Sequence, residues 1–302
     1  MTAAENESKA GGAGGRTLAL SGLLLALAGA FLYSLKPIFI KLNYGYDIDA
    51  VTQLTLRMLL SLPFYAAIGL YAYRRAGPVR AHALAAPRTL GKIAALGILG
   101  YYLSALLDME GLGRVTAQFE RLILFTYPTF VVLIGAMFFG EALGRAHVGA
   151  LALTYLGLAL VFVKDLDSFG GQVVSGTALV LLCAVTYALY LLGNKGLVAR
   201  LGSALLTSAS MVTSTVAILL HFLLTHDLTA LAVPMPVVWY SLGMAVLSTV
   251  IPSYLLIEAL ARIGPGPASV ATGAGPVITA ALSTRAANRL AVAKSLVTMA
   301  SV

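Results

Sequence analysis

The chain has 302 residues, of which 59% are hydrophobic and only 11% charged, and its mean hydropathy is +0.91. Soluble domains carry about 45–50% apolar and about 25% charged residues, so a soluble fold, a disordered chain, a collagen and a disulfide scaffold are excluded. The net charge of +8 resides on basic residues set between apolar runs, which points to a membrane surface and not to nucleic acid; the single cysteine, Cys183, forms neither an internal disulfide nor a thiolate cluster.

Residues 1–16 are polar and glycine-rich and read as a disordered cytoplasmic tail. The apolar run that follows is too long for the h-region of a signal peptide, about 7–15 residues, so it is an uncleaved first span. Hydropathy places spans at 17–41, 50–73, 91–112, 116–139, 146–163, 175–194, 203–225, 236–260 and 267–283. A short tenth helix is expected from Leu290 to the terminus, after a polar break carrying Arg285 and Arg289. Ten spans of about 20 residues fit the length, and the continuous apolar runs lack the alternation of a barrel strand. The longest connection, 74–90, carries Arg74, Arg75, Arg80 and Arg88. With the N-terminus inside, eleven basic residues face the cytoplasm and six the other side, which predicts a multi-pass inner-membrane protein with a cytoplasmic N-terminus.

The two halves of the chain resemble each other. Ser21-Gly22, Tyr33 and Lys41 recur as Ser175-Gly176, Tyr187 and Lys195 at a shift of 154. Glu110, Leu112, Arg114 and Pro128 recur as Glu258, Leu260, Arg262 and Pro276 at a shift of 148, the longer basic connection of the first half accounting for the difference. Two five-span repeats, 17–163 and 175–302, follow. Five is odd, so the second repeat is inverted with respect to the first. Such pairs place a substrate site near the bilayer midplane, between the halves.

The stretch 125–143 carries Pro128 inside the fourth span and Gly140-Glu141 at its end. It resembles the EamA-type branch of the drug/metabolite transporter superfamily, and the second copy opens in the same way at Gly275-Pro276-Val277. The resemblance implies a ten-span secondary transporter working by alternating access. Within the superfamily the nearest likeness is to YddG-like amino acid exporters, which implies export of amino acids or similar small amphipathic metabolites. Residues 284–290 depart from the pattern, with two arginines and no second Gly-Glu.

Ionisable groups inside spans are costly and usually face a cavity or one another. Lys36, Arg57, the Glu120-Arg121 pair and Glu258 are the candidates, with His221 behind them. Lys36 precedes Pro37, so its helix is loosened and frees carbonyls for ligand or water; it either faces a cavity or snorkels to the headgroups. Arg57 either meets substrate or forms a structural ion pair with Glu120. Glu110 and Glu258 lie near span ends and suit an interfacial role. Tyr187, Tyr190 and Asn194 share one helix face, Glu120, Leu124 and Tyr127 share another, and Tyr101 lies among Gly97, Gly100 and Ser104. Tyr33, Tyr101 and Tyr187 belong either to a tyrosine-lined cavity, suited to an amphipathic metabolite such as a hydrophobic amino acid, or to the interfacial aromatic belt. The expected substrate-binding set is therefore Tyr33, Lys36, Arg57, Tyr101, Glu120, Tyr127, Tyr187, Tyr190 and Asn194. No hydrolase, metalloprotease or phosphate-loop motif is present, so no enzyme activity, cofactor or metal is assigned. The partners are a small-molecule substrate and the lipid bilayer. The rival readings are a drug or nucleotide-sugar transporter of the same fold and an intramembrane lipid-modifying enzyme using His221 and Asp108.

Overall fold

The structure, a computed structural model, describes residues 3–139 and 170–272. All regular elements among them are helical. Seven segments are long and apolar enough to cross a membrane: Leu18–Tyr44, Ala50–Arg75, Pro87–Leu112, Ala117–Met137, Gln172–Leu201, Ser203–Thr225 and Met235–Ile263. At about 1.5 Å per residue each clears a hydrocarbon core of about 30 Å. They are spans one to four and six to eight of the sequence reading. The ninth begins as the helix Pro265–Ala271. The rest of the ninth, the fifth at 146–163, the tenth from Leu290 and the Gly140-Glu141 pair lie outside the described residues, so the count of ten stays an expectation.

Two boundaries differ from the sequence reading. The first helix starts at Ala3, so residues 3–16 prolong span one as helix instead of forming an unstructured tail. The basic connection 74–90 contains a short helix, Pro78–Ala85, and Pro87 then opens span three. Both helices carry proline in their first turn, where its missing N–H costs nothing. Span two is started by Asp49, whose carboxylate accepts from the N–H groups of Val51 and Thr52 at 2.8 and 2.9 Å. Many large apolar side chains point outward, among them Leu24, Leu70, Leu220, Leu224 and Trp239. In water this would be a liability, whereas in lipid it is the expected outer surface.

The helices pair by an approximate two-fold rule. Span one packs along span eight, and its repeat equivalent, span six, packs along span three; spans two and seven, themselves equivalents, pack on each other. The span ends show the inversion. Arg114, at the end of span three, donates to Ser175 at the start of span six at 3.3 Å. Arg262, at the end of span eight, donates to Ser21 at the start of span one at 2.9 Å. Spans one and three run in the same direction, with span two between them, so span six runs opposite to its equivalent, span one. Gly22 and Gly176 allow these approaches: a Cβ on Gly22 would fall 2.6 Å from Ile263, and one on Gly176 would fall 2.9 Å from both Arg114 and Val115.

Four irregularities interrupt the spans at mid-depth. Span one breaks at Ser34-Leu35 and span four at Phe125-Thr126, each three residues before a proline, Pro37 or Pro128. A proline removes one backbone hydrogen bond and crowds the preceding turn. Spans three and eight each contain a π-helical stretch, Ile98–Leu103 and Val246–Val250. These begin at positions related by the same shift of 148 that the sequence repeat shows, so the two halves share a backbone distortion as well as a motif.

Candidate functional site

The two breaks and the two π-helical stretches surround one cavity of about 110 Å³. That is room for roughly seven to eleven waters at 10–15 Å³ each. Irregular backbone at membrane depth is tolerated where it lines a cavity, and π-helical turns recur at functional sites. Repeat-related residues line the cavity in pairs: Tyr33 with Tyr187, Arg57 with Met211, Gly100 with Ser248, Tyr101 with Thr249 and Leu124 with Thr272. The cavity therefore lies between the halves, across the pseudo-two-fold relation.

Three tyrosines of its wall are tied together through Tyr190 behind them. Tyr127 meets Tyr187 edge-on with centroids 5.1 Å apart, Tyr187 stacks on Tyr190 at 5.9 Å, and Tyr190 meets Tyr101 at 4.8 Å. The Tyr127 hydroxyl is engaged by Thr272, and the Tyr190 hydroxyl donates to that of Tyr101 at 2.9 Å.

The charged groups come from spans one to four. Lys36 forms an ion pair with Asp108 of span three, both largely withdrawn from solvent. Arg121 lies 3.6 Å from Glu120 and donates at 2.7 Å to the carbonyl of Tyr33. That carbonyl is the one Pro37 leaves without a helical donor, so the guanidinium fills the vacancy at the break. Asp108 and Glu120 lie close enough to interact. Arg57 is 5% exposed, lines the cavity, and has no ion-pair partner among the described residues, its Nε being unbonded as well.

Of the nine residues expected from the sequence, Tyr33, Lys36, Arg57, Tyr101, Tyr127 and Tyr187 line this cavity. Glu120, Tyr190 and Asn194 stand behind its wall. Tyr190 is held against Gly100, where a Cβ would fall 2.2 Å from its ring, and Asn194 donates to the Tyr190 carbonyl at 2.8 Å. The ion pair considered between Arg57 and Glu120 does not form, because Glu120 faces Arg121 and Asp108. Lys36 does not snorkel, because Asp108 supplies a charge partner inside the protein. Sequence reasoning missed Asp108 as that partner and gave Arg121 no separate role. The available signals were a carboxyl inside a span and the orphan carbonyl four residues before Pro37. His221 is 2.9 Å from the Tyr102 hydroxyl through Nδ1, while Asp108 is held by Lys36, so the pair an intramembrane enzyme would need is not brought together.

The paired lining and the paired distortions describe a duplicated membrane protein, and comparison gives it a family. The model of the EamA-like transporter family matches residues 20–163 and 174–290, one match per repeat. The chain belongs to the EamA-like transporter family. This EamA-like protein is 31% identical over 269 residues to the uncharacterized transporter YcbK of Bacillus subtilis (strain 168), with 86% of this chain and 83% of that protein covered. A solved crystal structure, 21% identical, covers 88% of this chain and 89% of its own, with a TM-score of 0.64; it supports the fold. The chain is a multi-pass membrane transporter of the drug/metabolite superfamily.

Proposed function

We propose that this transporter moves small amphipathic carboxylates, hydrophobic or aromatic amino acids foremost, through the central cavity by alternating access. The observation that carries this reading is Arg57: a buried guanidinium, facing the cavity, without an ion-pair partner among the described residues. An uncompensated buried charge is costly, and a bidentate carboxylate is the partner a guanidinium fits best. The charges support it as well. Lys36, Arg57 and Arg121 face only Asp108 and Glu120, leaving room for one further negative charge. Met211 also lines the cavity, and the tyrosine wall offers apolar area, with ring faces that accept an ammonium group.

Flux in proteoliposomes tests this. The expected result is transport of a hydrophobic amino acid and none of its decarboxylated amine or its methyl ester, which keep the side chain and lose the anion. Transport of nucleotide sugars or cationic drugs with indifference to the carboxylate would overturn it. Product analysis in the same assay separates transport from lipid modification.

A further inference from the structure

Spans three and six pair closely over most of their length, yet a groove of about 570 Å³ opens between the start of span three and the end of span six. Three cations rim it, Arg88, Lys92 and Arg200, and no carboxylate lines it. None of the three side chains has an ion-pair or hydrogen-bond partner among the described residues. The floor is made of small residues. A Cβ on Gly91 or Gly196 would meet nothing within 4 Å. The first turn of span three also lacks a side-chain cap, leaving N–H groups toward the same end.

The repeat supplies a control. The equivalent crevice at the opposite face lies between the start of span eight and the end of span one. There Lys92 corresponds to Tyr240, Arg200 to Tyr46 and Gly193 to Phe39. The rings of Tyr46 and Tyr240 approach to 6.4 Å, and Phe39 lies 3.2 Å from where a Cβ on Gly243 would be. The protein fills that crevice with its own aromatic rings. At the other face Leu96 closes over Gly193, but cations replace both tyrosines and Gly91 and Gly196 are uncovered, so the space beside them is open and positively charged.

We propose that this groove seats the headgroup of an anionic phospholipid, its phosphate between Arg88, Lys92 and Arg200 and an acyl chain along the glycine-lined floor. The apolar floor favours a lipid over free phosphate, and basic crevices between spans suit anionic headgroups. The reading is independent of the substrate.

The test uses the full chain purified in detergent, with lipid retention followed by native mass spectrometry. Phosphatidylglycerol should be retained through exchange and should raise the melting temperature; phosphatidylcholine and inorganic phosphate should do neither. Each cation removed, as in Arg88→Gln, Lys92→Gln or Arg200→Gln, should lower retention about fivefold. Gly196→Leu fills the floor without touching a charge and should also release the lipid. Equal retention of phosphatidylcholine would make the groove ordinary annular contact, and an equal effect of inorganic phosphate would make it a free-anion site; either overturns the proposal. Unchanged phosphatidylglycerol retention in the Gly196→Leu variant would place the lipid elsewhere and overturn it too.

Discussion

The two repeats build one cavity from equivalent positions but with opposite chemistry. The first brings Lys36, Arg57 and Arg121 to the lining, with Asp108 and Glu120 behind them; at the related positions the second has Tyr190, Met211, Ser269, Leu256 and Ala268. The π-helical stretch was kept in both halves, whereas the break of span one is absent from the continuous helix of span six, and the charge is confined to the first half. A symmetric fold with a polarised cavity gives a bound amphipathic molecule a preferred orientation, anion toward spans one to four and apolar body toward spans six to eight. That polarity also has a structural demand, because five ionisable groups buried on one side must largely satisfy one another.

The largest effect expected from breaking the charged side is on stability. Asp108→Asn leaves Lys36 buried without a counter-charge and should cost about 3–5 kcal/mol, read as a lowered thermal midpoint in detergent. Pairing it as Lys36→Met with Asp108→Leu should recover most of that loss, since apolar replacement of a buried pair is often near neutral. If Asp108→Asn melts like the parent, the pair does not hold span one to span three.

Arg57→Met gives the first repeat the residue that the second already has. Substrate affinity should fall about 30- to 150-fold, for a buried charge contact of about 2–3 kcal/mol. Thermal stability should hold or rise, because an unpaired buried cation is removed. A drop in stability with unchanged affinity would show that Arg57 is structural. Tyr33→Ala and Tyr187→Ala sharpen the comparison further. They occupy equivalent positions, one beside the charges and one within the aromatic wall, and each should weaken binding about 5- to 10-fold with expression intact. If both variants transport like the parent, neither tyrosine contacts substrate.

Much of this was legible in the sequence. Apolar runs of span length marked the helices, and Glu-x-Leu-x-Arg in two copies marked the duplication. The shift read from those motifs also relates the π-helical stretches, which no local pattern announced, because a π turn depends on how the neighbouring span packs. Pro37 and Pro128 signalled breaks correctly, since a missing N–H is a local fact. Which charge meets which was not legible. Lys36 and Asp108 are joined only when span one lies against span three, and Arg121 acquires its role from a carbonyl in another helix. Tyr190 and Asn194 share the helix face of Tyr187, yet only the packing of Gly100 against Tyr190 decides that they stand behind the wall.

The smallest and most informative contrast is between the two ends where the repeats meet. At one, Glu258 and Arg262 are 2.9 Å apart, Arg262 reaches Ser21, and Ser203 also engages Glu258. At the other, Glu110 and Arg114 are 3.6 Å apart and Arg114 reaches Ser175 at 3.3 Å. All four charged side chains are partly exposed, so either arginine replaced by alanine should cost only about 0.2–1 kcal/mol. In an alternating-access cycle, however, such contacts bias which end opens, and a bias of that size shifts populations by up to about fivefold. The native reporter is Cys183, the chain's single cysteine, which is buried and lines the cavity. Arg262→Ala should speed its labelling by a membrane-impermeant thiol reagent applied on the Ser21 face. Arg114→Ala should speed it from the Ser175 face, and the first effect should be larger because the closer contact is lost. Equal acceleration from both faces by either variant would mean that the two ends do not oppose each other, and the cavity would then be reached by a route other than the seam between the repeats.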